Sequence, residues 1–136
     1  MKEFALHPKL EADTIDVATL DLSLVRLMND RRFPWLILVP QRVDAVEIVD
    51  LEAEDRATLI EEIALVSNAL RELFHARKLN VAAIGNLVRQ LHVHVVARFE
   101  SDDEWPKPVW GTAPEPYRFD ELERRLASLR YRITPT

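Results

Sequence analysis

One amphipathic stretch constrains the fold more than any other part of the chain. Between positions 52 and 77, Leu59, Ile63, Val66, Leu70 and Phe74 recur at intervals of three and four residues. That spacing places them on one stripe of a helix, which must be buried against another element. Asp50 can cap its start, Glu52, Glu54 and Asp55 suit the positive end of the helix dipole, and Arg77 and Lys78 suit the negative end. Strand-like segments flank the helix in pairs. Before it, residues 22–28 and the apolar run 35–39, closed by Pro40, are joined by the polar turn Asn29-Asp30-Arg31-Arg32 and so should pair antiparallel. After it, residues 79–84 lead through the turn signal Gly85-Asn86 to an alternating segment over 91–99. There His92, His94 and Val96 share one face, and Leu91, Val93, Val95 and Ala97 the other.

Residues 101–116 are acidic, then rich in proline and tryptophan, and read as an ordered loop. A short final helix follows, striped by Phe119, Leu122, Leu126 and Leu129, with Asp120 and Glu123 at the spacing of a capping box. The first sixteen residues mix charges, end near a turn-like Asp13-Thr14 and offer no clear element. This order predicts an α+β fold: an antiparallel sheet with one long and one short C-terminal helix against one face. A length of 136 residues fits a single domain over 1–136.

Several chemistries are excluded by residues the chain lacks. It contains no cysteine, which removes thiol nucleophiles, disulfides and cysteine zinc sites. Gly85 and Gly111 are its only glycines, too few for a phosphate-cradling loop. Ser23, Ser67, Ser101 and Ser128 stand in no nucleophile-elbow context. A net charge of −5 argues against a nucleic acid polymer as partner but leaves room for a small phosphorylated ligand. The first thirty residues carry no basic start followed by an apolar core, and no apolar run reaches the roughly eighteen residues of a membrane span. A soluble cytoplasmic protein without a membrane partner is the expectation.

The chemistry that remains centres on histidine. His75 ends the long helix and reads as structural, and His7 before Pro8 reads as a solvated surface residue. Gln90, His92 and His94 are spaced to point together from one strand, successive side chains about 6.5–7 Å apart, while Leu91, Val93 and Val95 fill the core. Three readings of this row are open: an incidental solvated face, a pair of metal ligands that needs a third, or a catalytic site.

Gln90-Leu91-His92-Val93-His94-Val95-Val96 resembles the histidine triad motif, His-φ-His-φ-His-φ-φ, with glutamine in the first position. The resemblance extends over roughly residues 20–111: the first hairpin with its polar turn, the long helix, the strand ending at Asn86, and Trp105-Pro106 downstream. It implies an antiparallel sheet of about five strands and a homodimer that attacks the α-phosphate of nucleotides such as phosphoramidates or dinucleoside polyphosphates, with no metal or other cofactor. His92 then matches the nucleophile and would form a nucleotidyl-histidine intermediate. His94 matches the group that contacts and can protonate the leaving atom. Asn29, or Asp30 if the turn is shifted by one, matches the ribose-binding position, and Asn86 matches an amide at the phosphates. The sequence departs from the family pattern twice. Gln90 cannot carry a proton between pH 5 and 8. The turn Leu87-Val88-Arg89 also lacks the Gly-Gln-Ser-like phosphate donors, so Arg89 either replaces them or is a surface residue. Trp105 and Trp110 read as cover for the sheet or a dimer seam, with base stacking as the alternative. Besides the enzyme, a nucleotide-binding module with little turnover and a His-x-His metal protein remain open.

Overall fold

The computed structural model describes residues 2–133. Its elements are α1 (Pro8–Asp13), β1 (Thr14–Thr19), β2 (Ser23–Met28), β3 (Trp35–Pro40), α2 (Ala53–Phe74), β4 (Lys78–Ala82), β5 (Val93–Arg98) and α3 (Phe119–Ile133). The strands form one antiparallel sheet in the order β1-β2-β3-β5-β4. The two strand pairs predicted from sequence therefore meet where β3 lies beside β5, with Ile37 opposite His94 and Leu38 opposite Val93.

Helices α2 and α3 cover one face. Val66, Ala69 and Leu70 of α2 and Leu126, Leu129 and Ile133 of α3 pack on Val25, Leu27, Leu36, Leu38, Val95 and Ala97. The opposite face is apolar as well. Trp35, Ile37, Val39 and Val96 are buried there beneath Leu10, Phe33, Val88 and Val109, with Trp110 packed against them. Because both faces are covered, every residue of β3 and β5 is buried, and a plain polar-apolar alternation could not survive in them. The histidine face is thus an interior surface rather than a solvated one.

Four details differ from the sequence expectations. Helix α1 and strand β1 were not foreseen: α1 is only six residues long, and a bulge between Asp16 and Ala18 breaks the period of two. Burial along β1 then recurs at Thr14, Val17 and Leu20, a spacing of three that does not read as a strand. Asp50 does not cap α2; its carboxylate accepts the amides of Val46 and Glu47 in a preceding turn, and Glu52 occupies the cap position. The last helix is not short but fifteen residues long. Its reach-back carboxylate is Glu121, which accepts Arg118 N–H at 3.2 Å, and Phe119 is 80% exposed, so the stripe is Leu122, Leu126, Leu129 and Ile133.

Candidate active site

His94 sits within β5, the strand flanked by β3 and β4, and His92 lies just before it. Both side chains are buried, at 6% exposure each, and their ring centroids are 5.0 Å apart. His92 Nδ1 lies 2.7 Å from the backbone oxygen of Gln90. A carbonyl only accepts, so this contact assigns the proton to Nδ1 and leaves Nε2 with its lone pair. The neighbouring amide of Leu91 donates to Ala45 O at 2.9 Å, which holds the segment entering β5.

The second imidazole is set differently. Trp35 Nε1–H donates to His94 Nδ1 at 3.0 Å, which places the His94 proton on Nε2. The Trp35 and Trp110 rings lie 5.7 and 5.4 Å from His94, the second edge-on. Burial, with the nearby His92 adding to it, pushes the His94 pKa down to about 3, so this ring is neutral at physiological pH.

A cleft opens in front of these rings. A cavity of about 320 Å³ is lined by His92, His94, Ile37, Asn86, Val88, Trp110 and neighbouring residues. It adjoins a second cavity of about 400 Å³, lined by Asn29, Asp30, Trp35, Thr112, Pro114 and Pro116. The two share Lys9, Asp13 and Met28. Lys9 pairs with Asp13 at 2.8 Å, and both side chains are about half exposed, so the ammonium is free to exchange partners. An elongated, largely apolar cleft with a few convergent polar groups is the usual form of a small-molecule site.

The fold does not bring all the predicted residues to this cleft. Asn29 borders it, and its Oδ1 accepts Tyr117 N–H at 3.0 Å. Asp30 also borders it but is 1% exposed and bound through both oxygens to Arg32, at 3.0 and 2.9 Å. Asp30 Oδ1 further accepts the Arg32 and Glu115 amides, so the carboxylate ties the turn to the loop before α3. Asn86 lines the histidine cavity. Arg89 is exposed beside Gln90 and His92 and makes no hydrogen bond or ion pair among the described residues.

Gln90 corrects the expectation of three side chains pointing together. Its Oε1 accepts His7 N–H at 2.8 Å and its Nε2 donates to Ala5 O at 2.9 Å, so the amide grips the N-terminal segment. Strand β5 begins only at Val93, and the alternation does not reach back to position 90. His7, expected to be solvated, caps α1, its Nδ1 accepting Lys9 N–H. His75 is structural as expected: it closes α2 in the left-handed conformation, φ 54°.

Trp35 and Lys9 at the cleft carry no signal of a site role in the sequence, whereas Trp110, read as cover with base stacking as the alternative, lines the histidine cavity. Trp35 reads from sequence as the first member of an apolar run, and only the β3–β5 register brings it to His94. Trp110 Nε1 is buried without a hydrogen-bond partner among the described residues. The two loop tryptophans divide: Trp110 packs at the histidines, whereas Trp105 covers the guanidinium of Arg98, 5.8 Å from its ring centroid. Among the described residues, no group of three His, Cys, Asp or Glu is placed to hold a metal ion.

The family model of the HIT domain matches residues 9–101, from α1 to just beyond β5. A histidine triad protein of Bradyrhizobium japonicum is 47% identical, with 97% of this chain and 99% of that one covered and a TM-score of 0.95. One from Sinorhizobium meliloti is 48% identical over 95% and 96% of the two chains, TM-score 0.92, and one from Marinobacter aquaeolei is 41% identical over 97% of each, TM-score 0.94. No curated protein matches the sequence. With its sheet, its buried histidine pair and these close structural relatives, the chain belongs to the histidine triad family and has that family's fold.

Proposed function

We propose that this protein is a nucleotidyl hydrolase or transferase in which His92 attacks the α-phosphate of a nucleoside phosphoramidate or a dinucleoside polyphosphate. The observation that carries the reading is the 2.7 Å contact between His92 Nδ1 and the Gln90 carbonyl, beside a cleft with room for a nucleotide. The contact fixes the tautomer before substrate arrives. Nε2 is then a preorganised nucleophile, and the carbonyl stabilises the positive charge the ring acquires when Nε2 bonds to phosphorus.

In this reading the phosphates lie at the histidines. His94 Nε2–H donates to them, and Asn86, Arg89 and Lys9 supply the remaining donors. The nucleoside extends toward Asn29 and the Pro114–Pro116 wall, with Asp30 holding the turn that presents Asn29. The chain's own residues provide every group these steps use. The homodimer implied by the family resemblance belongs to the same proposal, and β4, an outer strand with Val81 48% exposed, offers an edge for it.

A binding module with little turnover is the second reading. It is favoured by one observation: the Gln90 side chain serves the N-terminal segment and makes no hydrogen bond to His92 among the described residues.

Intact-protein mass spectrometry after brief mixing with an adenosine phosphoramidate and with a diadenosine polyphosphate separates the two. The enzyme reading expects an acid-labile nucleotidyl adduct that is absent from His92→Ala. Turnover by that variant should fall on the order of 10³-fold or more while nucleotide binding persists. Binding without adduct or turnover in the native protein would establish the module instead. Sedimentation of the same sample reports the dimer.

A further inference from the structure

We infer that Trp35 fixes the proton of His94 and thereby makes this site selective for dinucleoside polyphosphates, whose leaving group departs on oxygen, over phosphoramidates, whose leaving group departs on nitrogen. The inference deepens the proposed function and rests on it.

Trp35 Nε1–H is a donor and never an acceptor, and it points at His94 Nδ1 from 3.0 Å. Placing a proton on Nδ1 would set two N–H groups head to head at that distance. The neutral ring therefore keeps its one proton on Nε2. Trp35 has little freedom to turn away: it is 6% exposed, begins β3 opposite Val96, and is wedged edge-on between Phe33 at 6.4 Å and Trp110 at 6.1 Å. Nothing nearby favours a second proton. No carboxylate hydrogen-bonds His94 among the described residues, Asp13 of the same cavity included. Burial adds to this by holding the His94 pKa near 3.

His94 is thus a fixed hydrogen-bond donor with no proton to spare. Giving up the Nε2 proton would leave an imidazolate, because Nδ1 is already engaged by Trp35 and receives none in exchange.

The two substrate classes differ in whether they need that proton. In a dinucleoside polyphosphate the His92 Nε2 lone pair forms a bond to the α-phosphorus, and the bond from phosphorus to the bridging oxygen breaks. Its electron pair leaves on that oxygen as a nucleotide phosphate anion. This leaving group is stable unprotonated, and the His94 N–H supports the developing charge by hydrogen bonding. Water then adds its oxygen to phosphorus, the N–P pair returns to His92 Nε2, and the proton the water sheds passes to solvent. In a phosphoramidate the bond that breaks is P–N, and the amine departs only if the nitrogen gains a proton. The ring facing it has none to give. The bridging N–H is moreover a donor itself and meets the donor edge of His94.

The experiment measures kcat/KM of the native full chain for a diadenosine polyphosphate and for an adenosine phosphoramidate. Alongside, ¹⁵N signals of the histidine rings are recorded in the native protein and in Trp35→Phe, with His94→Asn assigning the His94 pair. A ratio of about 100-fold or more in favour of the polyphosphate is expected, the lower end of what a missing general acid costs. The His94 signals should show Nε2 protonated and Nδ1 bare. Trp35→Phe keeps an aromatic ring but removes the donor. It should let both tautomers appear and, by freeing Nδ1 to bind a proton from solvent, let the ring give its Nε2 proton to the leaving nitrogen without becoming an imidazolate, narrowing the ratio about tenfold or more through kcat on the phosphoramidate rather than KM. If that variant does not fold, the native ratio and native ring signals still decide.

Equal efficiency on both substrates, a preference for the phosphoramidate, or an Nδ1-protonated His94 would overturn the inference while leaving the enzyme reading intact. No turnover of either substrate and no adduct on His92 would overturn the enzyme reading, and the selectivity with it.

Discussion

Arg98 is a charged side chain at 1% exposure, and its surroundings explain how it is tolerated. Its guanidinium meets Asp102 through two bonds, at 2.8 and 3.0 Å, Asn80 Oδ1 at 2.9 Å and Lys107 O at 2.8 Å. The rings of Phe33 and Trp105 lie on either count within 6 Å, at 5.6 and 5.8 Å. Burial pushes Asp102 up, but hydrogen bonds from Arg98 and from the amides of Phe99 and Glu104 outweigh it, holding the acid below the usual carboxylate range. Arg98 ends the strand that carries His94, and Asp102 opens the loop that carries Trp110. The pair therefore anchors the cover of the site to its floor. Removing one partner of a buried pair strands the other charge, so Asp102→Ala should cost about 3–5 kcal/mol in urea unfolding. A loss below about 1 kcal/mol would mean that Arg98 finds another partner or water.

At the scale of elements, the N-terminal segment and α1 complete the site without chemistry of their own. They carry Leu10 into the second core and Lys9 to the cleft, and the amide of Gln90 holds them as a neighbouring strand would, one bond given and one received. Gln90→Ala should accordingly raise hydrogen exchange at the His7 amide and lower stability by about 1–2 kcal/mol, with KM affected more than kcat. Unchanged exchange at His7 with a large loss of kcat would instead place Gln90 behind the nucleophile. Legibility in the sequence follows the same division. Strands β2 to β5 and helix α2 show in the pattern because each presents a run of apolar residues bounded by a turn. Strand β1 is hidden by its bulge, α1 by its shortness, and the length of α3 by a last turn rich in arginine, Arg130 and Arg132. The histidine pair is legible from spacing. The roles of Trp35 and Gln90 are not, because one depends on which strands become neighbours and the other on where β5 begins.

Across the whole molecule, the way the site is buried sets how the fold responds to acid. His94 is neutral between two tryptophans with a pKa near 3, whereas in the unfolded chain an ordinary histidine takes up its proton near 6.5. Between those values the unfolded state binds the extra proton and the folded state does not, so stability falls as pH drops below 6.5 and continues to fall toward 3. Other groups facing this ring contribute little compensation: His92 is a further imidazole, Trp35 and Trp110 carry no charge, and Lys9 and Asp13 in the cavity neutralise each other. Asp102, depressed by its partners, adds a second loss at lower pH, which begins as the pH falls through the ordinary carboxylate range and is complete below its folded pKa. The prediction is a loss of about 2–3 kcal/mol from His94 alone between pH 6.5 and 4.5. It is read as the difference in urea-unfolding free energy between the native protein and His94→Phe over that range. The variant removes the titration but keeps a ring in the aromatic cluster, so its stability should vary less steeply with pH by that amount. Parallel curves for the two proteins would mean that His94 accepts a proton within the fold, and that the tryptophan cluster does not hold it neutral.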